Sequence, residues 1–352
     1  MSLLDRLKAV FSNAQEPTAV RVLVPDALSM TMENRAPIYH AQRFDPEQRF
    51  AVPDAGLRGF RTQGLAALGQ QEVEIVLVSS PDANSAALER DVEGVFNMLY
   101  EMARAGRIVQ AGDMTLFRAK APFGVPHSGL AYVQSAVGVG ASGLADTLTA
   151  VFLHPEECPI AHLAGIYRPL AWLTHAYRAY PFPAFSDTRR ASALPPRLPE
   201  SVLARVPYLS ALREARATLR ERSLVLELAL STYDEISSRF DSDAREPMLG
   251  ILTGHDSAAD ARAVWLPDSA SIEVVGLAGS AMSRIELGFV LLAGAQREGM
   301  VRLGEDGAIA ALPSAAWTAL QIALKARQPF DVDLPGIADE RIKHLRIEPA
   351  PS

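Results

Sequence analysis

The sequence predicts an α+β protein in which two mixed α/β-sheet domains are joined by a linker rich in proline and arginine. Three observations support this fold class. Short apolar runs of strand type occur in both halves of the chain, and apolar residues at helical spacing lie between them. Between residues 185 and 223 the composition shifts to proline, arginine and serine, as is typical of a domain boundary. The length of 352 residues is sufficient for two domains of ordinary size.

From these patterns we expect four segments. They are an N-terminal amphipathic helix at 1–17, a first domain at 18–190, a linker with a charged helix at 191–222, and a C-terminal α+β domain at 223–352.

The N-terminal segment places several apolar residues on one helical face, among them Leu3, Leu4, Leu7, Val10 and Phe11. A helix of about three turns with mixed charge binds lipid only weakly, so we expect it to pack on the body of the protein. Binding to a membrane surface or to a partner is the alternative.

The first domain begins with residues that are typical of β-strands, and the clearest helical pattern of the sequence follows them. Residues 72–79 alternate in the manner of a sheet strand, and residues 85–106 carry apolar side chains at helical spacing with Gly106 just past the end. A second helix is predicted at 160–180, before a turn that contains two prolines.

A glycine motif in this domain has the spacing of a dinucleotide-binding fingerprint. Gly138, Gly140 and Gly143 read G-x-G-x-x-G, but residues 147–153 follow directly with strand-forming side chains. A parallel crossover needs a helix of about ten residues or more, for which there is no room. We therefore interpret the glycines as the loop of an antiparallel hairpin, and expect no nucleotide cofactor.

The second half is predicted from its turn signals. Residues 209–222, which mix leucine, alanine and charged side chains, predict the charged helix of the linker. A run of strands separated by Gly, Asp and Pro follows, then a helix at 314–327 and a last strand near 344–347.

Composition excludes several classes of function. There are 34 Lys and Arg residues against 41 Asp and Glu, a net charge of −7, with no dense basic cluster, so we expect no nucleic-acid partner. No apolar stretch reaches the length of a membrane span. The single cysteine, Cys158, excludes an internal disulfide and indicates a cytoplasmic location.

Two constellations could carry chemistry. His154, Cys158 and His162 stand four residues apart, as zinc ligands on one helix would, but Pro159 would break such a helix. Glu156 and Glu157 are adjacent and would point about 100° apart on a helix, so a favourable charge at the helix N-terminus is the simpler role for them than general acid/base catalysis.

Nucleophile elbows and P-loops are absent from the sequence. We accordingly expect no enzyme, no catalytic residue, no cofactor and no metal. An enzyme or small-ligand-binding protein whose site is dispersed over loops is the alternative, and a scaffold or assembly component is a third class.

Four polar residues end the first domain, Asp187-Thr188-Arg189-Arg190. One interpretation is a solvated linker. The other is that Asp187 accepts backbone hydrogen bonds at a turn, while one arginine forms a partly exposed forked pair with Glu156 or Glu157 and fixes the hinge. We take Glu156, Glu157, Asp187, Arg189 and Arg190 as candidate partner-binding or hinge residues.

The order of motifs over residues 36–190 resembles that of the suppressor-of-fused domain family. The stretches that carry the resemblance are Thr62-Gln63-Gly64-Leu65, EVEIVLVS at 72–79, VFNMLYEMARAG at 95–106, Gly112-Asp113, TLTAVFLHPEE at 147–157 and the DTRR motif at 187–190. In the second half, residues 312–332 are faintly similar to the second domain of longer family members.

The resemblance implies a suppressor-of-fused-like first domain and a protein that binds another protein without catalysis. Family members grip an extended peptide between two domains, and bacterial relatives are often immunity proteins of toxin systems. A hinge near residues 191–207 and open sheet edges would suit this function. The negative net charge favours a basic partner segment.

Overall fold

The computed structural model describes most of the chain after residue 56. The described residues are 57–62, 64–78, 85–117, 128–134, 147–177, 180–183, 185–194, 209–212, 215–242, 248–264, 273–276, 280–295, 299–304, 306–334 and 342–350. Within them lie five α-helices and three β-sheets, each of which mixes parallel and antiparallel pairs. The predicted α+β class is confirmed.

The backbone contacts divide the chain into two units. Unit 1 consists of Met1–Ile166 with Pro183–Ser192, and unit 2 consists of Tyr167–Phe182 with Ala193–Ser352. The chain therefore passes from one unit to the other three times. The sequence-based division with its boundaries at 190 and 223 has a single passage, and it stays a prediction.

Unit 1 contains one five-stranded sheet in the order β1-β2-β5-β4-β3. Its elements are β1 (Leu57–Arg61), a short 3-10 helix (Leu65–Leu68), β2 (Glu72–Val78), α1 (Ser85–Arg104), β3 (Met114–Leu116), β4 (Gly129–Gln134), β5 (Thr147–Leu153) and α2 (Glu157–Ala164). Neighbours are antiparallel except β2 and β5, which run parallel.

Helix α1 covers the sheet of unit 1 with one face. Its buried side chains recur at helical spacing and join sheet residues in one core; they are Val92, Val95, Phe96 and Leu99. Glu93 and Gly94 lie on the exposed face. The helix ends before Gly106, whose φ of 74° is the left-handed conformation that glycine adopts without strain. This helix is predicted correctly.

The predicted hairpin is confirmed by its strands. β4 and β5 pair antiparallel, with Gln134 opposite Leu148. The glycines at 138, 140 and 143 themselves lie outside the described residues.

The predicted helix at 160–180 is wrong in its extent, because two helices occupy this region. α2 ends before Gly165, where the backbone turns (φ 78°, ψ 158°), and α3 spans Tyr167–Tyr177.

Unit 2 contains α3 and two sheets. The seven-stranded sheet has the order β11-β10-β12-β7-β8-β17-β16 and the five-stranded sheet the order β14-β15-β13-β9-β6. The elements are β6 (Leu209–Leu212), β7 (Ala215–Arg220), β8 (Ser223–Leu228), α4 (Leu230–Ser242), β9 (Met248–Thr253), β10 (Ala261–Val264), β11 (Glu273–Gly276), β12 (Arg284–Leu287), β13 (Phe289–Ala295), β14 (Met300–Gly304), β15 (Gly307–Pro313), α5 (Ser314–Lys325), β16 (Phe330–Asp333) and β17 (His344–Pro349).

One hydrophobic core joins the elements of unit 2. It contains side chains of both sheets, such as Leu226 and Val290, together with Tyr233 of α4 and Leu320 of α5. The predicted helix at 314–327 and the last strand near 344–347 are confirmed as α5 and β17. Helix α4 was not predicted.

The charged helix predicted at 209–222 is wrong. These residues form β6 and β7, because Ala215, Ala217 and Leu219 alternate with Arg216 and Arg220 at period two. The apolar set faces the core, and arginine lies opposite glutamate across the hairpin, since Arg216 pairs in register with Glu227 of β8. Tertiary burial outweighs the high helix propensity of these residue types.

Two other predicted features lie outside the described residues. They are the helix at 1–17 and most of the linker, at 195–208. Among the described helices, none is long and apolar enough to cross a membrane.

Candidate functional site

Ser186 is inserted between two strands of unit 1. β2 and β5 pair with each other only over residues 72–74 and 147–149. Beyond that point the backbone of Ser186 donates to Val76 O at 2.8 Å and accepts from Val78 N at 3.0 Å. Its hydroxyl accepts a hydrogen bond from Phe152 N at 2.9 Å. The residue that precedes the DTRR motif thus fills the gap where the parallel strands separate.

The end of the same motif is held by a buried ion pair. Arg190 Nη1 lies 2.5 Å from Glu157 Oε1, and Arg190 Nη2 lies 2.7 Å from Glu157 Oε2. The arginine also donates to Phe152 O at 2.9 Å, and Glu157 accepts from His154 N at 2.8 Å. The side chains are 7% and 0% exposed. The segment that follows β5 and the segment 186–190 are therefore tied together.

The other predicted site residues do not join this pair. Asp187 Oδ1 accepts a hydrogen bond from Arg189 N at 2.9 Å, which is the turn geometry expected for it. The side chains of Glu156 and Arg189 are exposed. The forked pair that the sequence predicts is present between Glu157 and Arg190, but the expectation that it is partly exposed is wrong. Its role in partner binding or as a hinge stays a prediction.

The His154–Cys158–His162 spacing does not form a helical face, because α2 begins at Glu157 and leaves His154 before it. Pro159 lies in the first turn, where its missing N–H breaks no helical hydrogen bond. Cys158 is buried, with its sulfur 3.5 Å from Ser128 Oγ. Burial raises the pKa of this thiol to about 11. Among the described residues, no group of three or more His, Cys, Asp or Glu could hold a metal ion.

Unit 2 contains a buried charge cluster that the sequence did not predict. At its centre, Glu286 of β12 accepts from Arg262 Nε at 2.5 Å, from Asp256 N at 2.9 Å, and contacts His255 Nδ1 at 2.8 Å. Burial by itself raises the pKa of this carboxyl. The charges of Arg262 and His255 and the hydrogen bonds outweigh burial and lower the pKa from 4.5 to about 2.

This cluster fastens the segment Tyr167–Phe182 to the strands of unit 2. Arg262 Nη1 donates to Tyr167 O at 3.1 Å, and its guanidinium lies 5.8 Å from the centre of the Tyr167 ring. The His255 ring packs against the rings of Tyr167, Tyr180 and Phe182, at centroid distances of 6.1, 6.4 and 5.7 Å.

A second buried ion pair supports the same segment. Arg168 of α3 lies 3.1 Å from Asp306 and over the ring of Phe289. Two arginines, Arg168 on α3 and Arg262 on β10, thus hold α3 in unit 2, although α3 precedes the linker in sequence.

Further ion pairs extend from this cluster along the seven-stranded sheet, and acidic and basic side chains alternate in them. Asp256 binds Arg284 Nε at 2.7 Å, Arg284 reaches Glu227 at 3.2 Å, and Glu227 binds Arg220. Each carboxylate of this chain of contacts has an arginine partner. The arrangement neutralises buried charge, and it resembles a structural network more than a site poised for proton transfer.

A cavity of about 470 Å³ lies in unit 2, separate from these charges. Its walls are formed by the seven-stranded sheet and by Leu303 of β14, and we call it the seam cavity. The apolar wall residues are Leu219, Ala263, Val274, Ile285, Leu287 and Leu303. Glu221, Arg222 and Ser283 are exposed polar residues of its lining, and Met282 is 42% exposed there.

An edge strand of each sheet contributes one residue to the wall of the seam cavity. Val274 belongs to β11 and Leu303 to β14. In the part of the chain that the structure describes, β11 pairs only with β10 and β14 only with β15. Ala263 and Leu287 belong to the main core of unit 2, and Leu303 packs against it. The cavity is therefore an opening of the core at the seam between two edge strands.

No protein-family model matches the chain, and no curated protein matches it. Among solved structures, Drosophila Suppressor of Fused is similar, with a TM-score of 0.33, 11% sequence identity and 84% of each chain covered. A TM-score this low does not establish a shared fold. The residues of this chain alone, a buried Arg190–Glu157 pair, a self-neutralised charge cluster and a seam cavity between edge strands, therefore carry the functional argument.

Proposed function

We propose that the chain is a non-catalytic protein-binding module that takes up an extended segment of a partner protein and thereby sequesters or neutralises it. The observation that carries this proposal is the seam cavity beside the edge strands β11 and β14. An edge strand offers unpaired backbone N–H and C=O groups to an added strand, and an adjacent apolar cavity accepts side chains of that strand.

Charge supports a basic partner segment. The net charge of −7 favours encounter with positively charged segments, and disfavours nucleic acid. The finer assignment is an immunity protein that neutralises a toxin, which rests on the sequence resemblance alone. The cytoplasmic location predicted from the single cysteine stays a prediction.

The alternative is an enzyme or a small-ligand-binding protein. The contact between His255 Nδ1 and Glu286 favours it, since a carboxylate orients a catalytic histidine in this way. Against it, the Glu286 side chain is only 2% exposed and already pairs with Arg262. Thermal stabilisation by a small molecule that His255→Gln abolishes would favour the alternative.

Affinity purification with the immobilised full chain from its native host tests the proposal. We expect a partner protein that rebinds the purified chain with a Kd below about 1 μM, and whose binding region narrows to a short extended segment. A binding region that is a folded domain or a helix would overturn the proposal, as would the absence of any partner that rebinds.

A further inference from the structure

We propose that the seam cavity selects the partner by accepting two large apolar side chains that lie at positions i and i+2 of the captured strand. This inference rests on the proposed function, and it assigns the chemistry of the segment. The partner residues would occupy the cavity that Val274 of β11 and Leu303 of β14 help to line, in contact with the core residues Ala263 and Leu287.

The spacing follows from strand geometry. Alternate residues of a strand point to the same face and are about 6.6 Å apart, so an added strand presents residues i and i+2 to one cavity. A volume of about 470 Å³ is within the range of ligand cavities and exceeds the size of one side chain.

The wall chemistry indicates apolar occupants. Val274, Ile285 and Leu303 line the cavity with aliphatic groups from both sheets. Met282, whose side chain is 42% exposed at the cavity, is flexible and polarisable and adapts to different partners. A charged side chain placed against these walls would lose hydration without a partner. We therefore expect aromatic or large aliphatic residues at both positions.

The test is selection of a displayed random dodecapeptide library on the full chain. Val274→Trp places an indole in the cavity, and the control Ile322→Trp adds the same ring at an exposed site of α5. We expect enriched peptides to share large apolar residues at i and i+2. They should bind Val274→Trp at least about tenfold more weakly and Ile322→Trp like the parent chain.

A second variant guards against misfolding of the first. Met282→Ala shortens an exposed side chain, so the fold should persist while peptide affinity falls severalfold. Circular dichroism and melting temperature of each variant establish that it is folded.

Several outcomes would overturn the inference. Enriched peptides that lack the i, i+2 pair, or that bind Val274→Trp as tightly as the parent chain, would be compatible with strand capture. They would show that the cavity does not bind the side chains of the captured strand. Failure of any peptide to enrich would count against the proposed function as well. A dimer in light scattering that Val274→Trp converts to a monomer would assign the cavity to a second copy of the chain.

Discussion

Arg190 holds Glu157 in a forked ion pair in which both side chains are buried. The two contacts measure 2.5 and 2.7 Å, and the arginine also satisfies the carbonyl of Phe152. A buried pair has high desolvation costs that only the intact pair offsets, so removal of one partner leaves an uncompensated charge. The polar motif at the end of unit 1 is thus part of its folded structure and is more than a solvated linker.

Arg190→Ala should lower the free energy of unfolding of unit 1 by about 3–5 kcal/mol, because it leaves Glu157 buried and unpaired. Arg189→Ala is the control, and its exposed side chain should cost less than about 0.5 kcal/mol. The single cysteine, Cys158, is buried in unit 1, so its rate of alkylation in denaturant reports unfolding of that unit. Equal effects of the two variants would contradict the account.

The predicted hinge role requires a separate comparison. If Arg190 also positions the partner-binding surface, a variant that is still folded should lose partner affinity beyond its loss of stability. We expect this for Arg190→Lys, which retains the charge and loses the fork. Unchanged affinity at full folding would limit Arg190 to a structural role.

Proteolysis in the linker should give two fragments that stay associated. Cleavage is expected N-terminal to Leu209, because β6 and β7 occupy residues 209–212 and 215–220. The N-terminal fragment then carries Tyr167–Phe182, which Arg262 and Arg168 hold in unit 2. The fragments should co-elute in size exclusion, and Arg262→Ala should separate them. Parent fragments that separate would contradict this prediction.

Acid should destabilise unit 2 through Glu286. The folded-state pKa of about 2 lies below the ordinary value of 4.5, so the stabilisation is complete above pH 4.5 and is lost as pH falls towards 2. Its size is on the order of 3 kcal/mol. The stability difference between the parent chain and Glu286→Gln should narrow over this pH range.

Tryptophan fluorescence measures this loss, because the tryptophans that the structure describes, Trp172 and Trp317, belong to unit 2. Asp331→Asn, which alters an exposed pair with Arg346, should show no such narrowing. A constant difference for Glu286→Gln from pH 5 to 2 would refute the assignment.

Gly307→Ala should destabilise unit 2 by at least about 2 kcal/mol. A Cβ at this position would lie 2.5 Å from the carbonyl oxygen of Phe289, and backbone cannot move aside as a flexible side chain does. The contrast is Gly94→Ala on the exposed face of α1, where a Cβ meets nothing within 4 Å; it should stabilise unit 1 by about 0.5–1 kcal/mol. A neutral Gly307→Ala would contradict the packing.

The sequence predicts best the elements whose pattern is local. Helix α1 has one apolar face and a glycine after its end, and only three residues separate Gly143 from the strand-forming run at 147–153, too few for a crossover helix. The prediction of a helix at residues 209–222 was wrong because alanine, leucine and arginine favour helices in isolation. The burial of Ala217 and Leu219 at period two stabilises a strand instead.

The candidate functional features show the same difference between local patterns, which the sequence reveals, and long-range contacts, which it does not. The Glu157–Arg190 pair was predictable because Glu157 lies at the predicted start of a helix directly after an apolar strand, and Arg190 belongs to the short polar DTRR motif. Glu286 has its partners His255 and Arg262 on other segments, 31 and 24 residues away, so no spacing reveals it. The seam cavity depends on strand order, which places β11 and β14 at sheet edges only after the long-range pairing has formed.

The most direct test of strand capture is a scan of N-methylated analogues of a peptide selected on the full chain, each with one backbone N–H blocked, measured by calorimetry. In an added strand only alternate N–H groups face the host edge. The account predicts that methylation at every second residue weakens binding at least about tenfold, while the residues between tolerate it. Losses at a spacing of three to four residues, or no losses, would contradict strand capture.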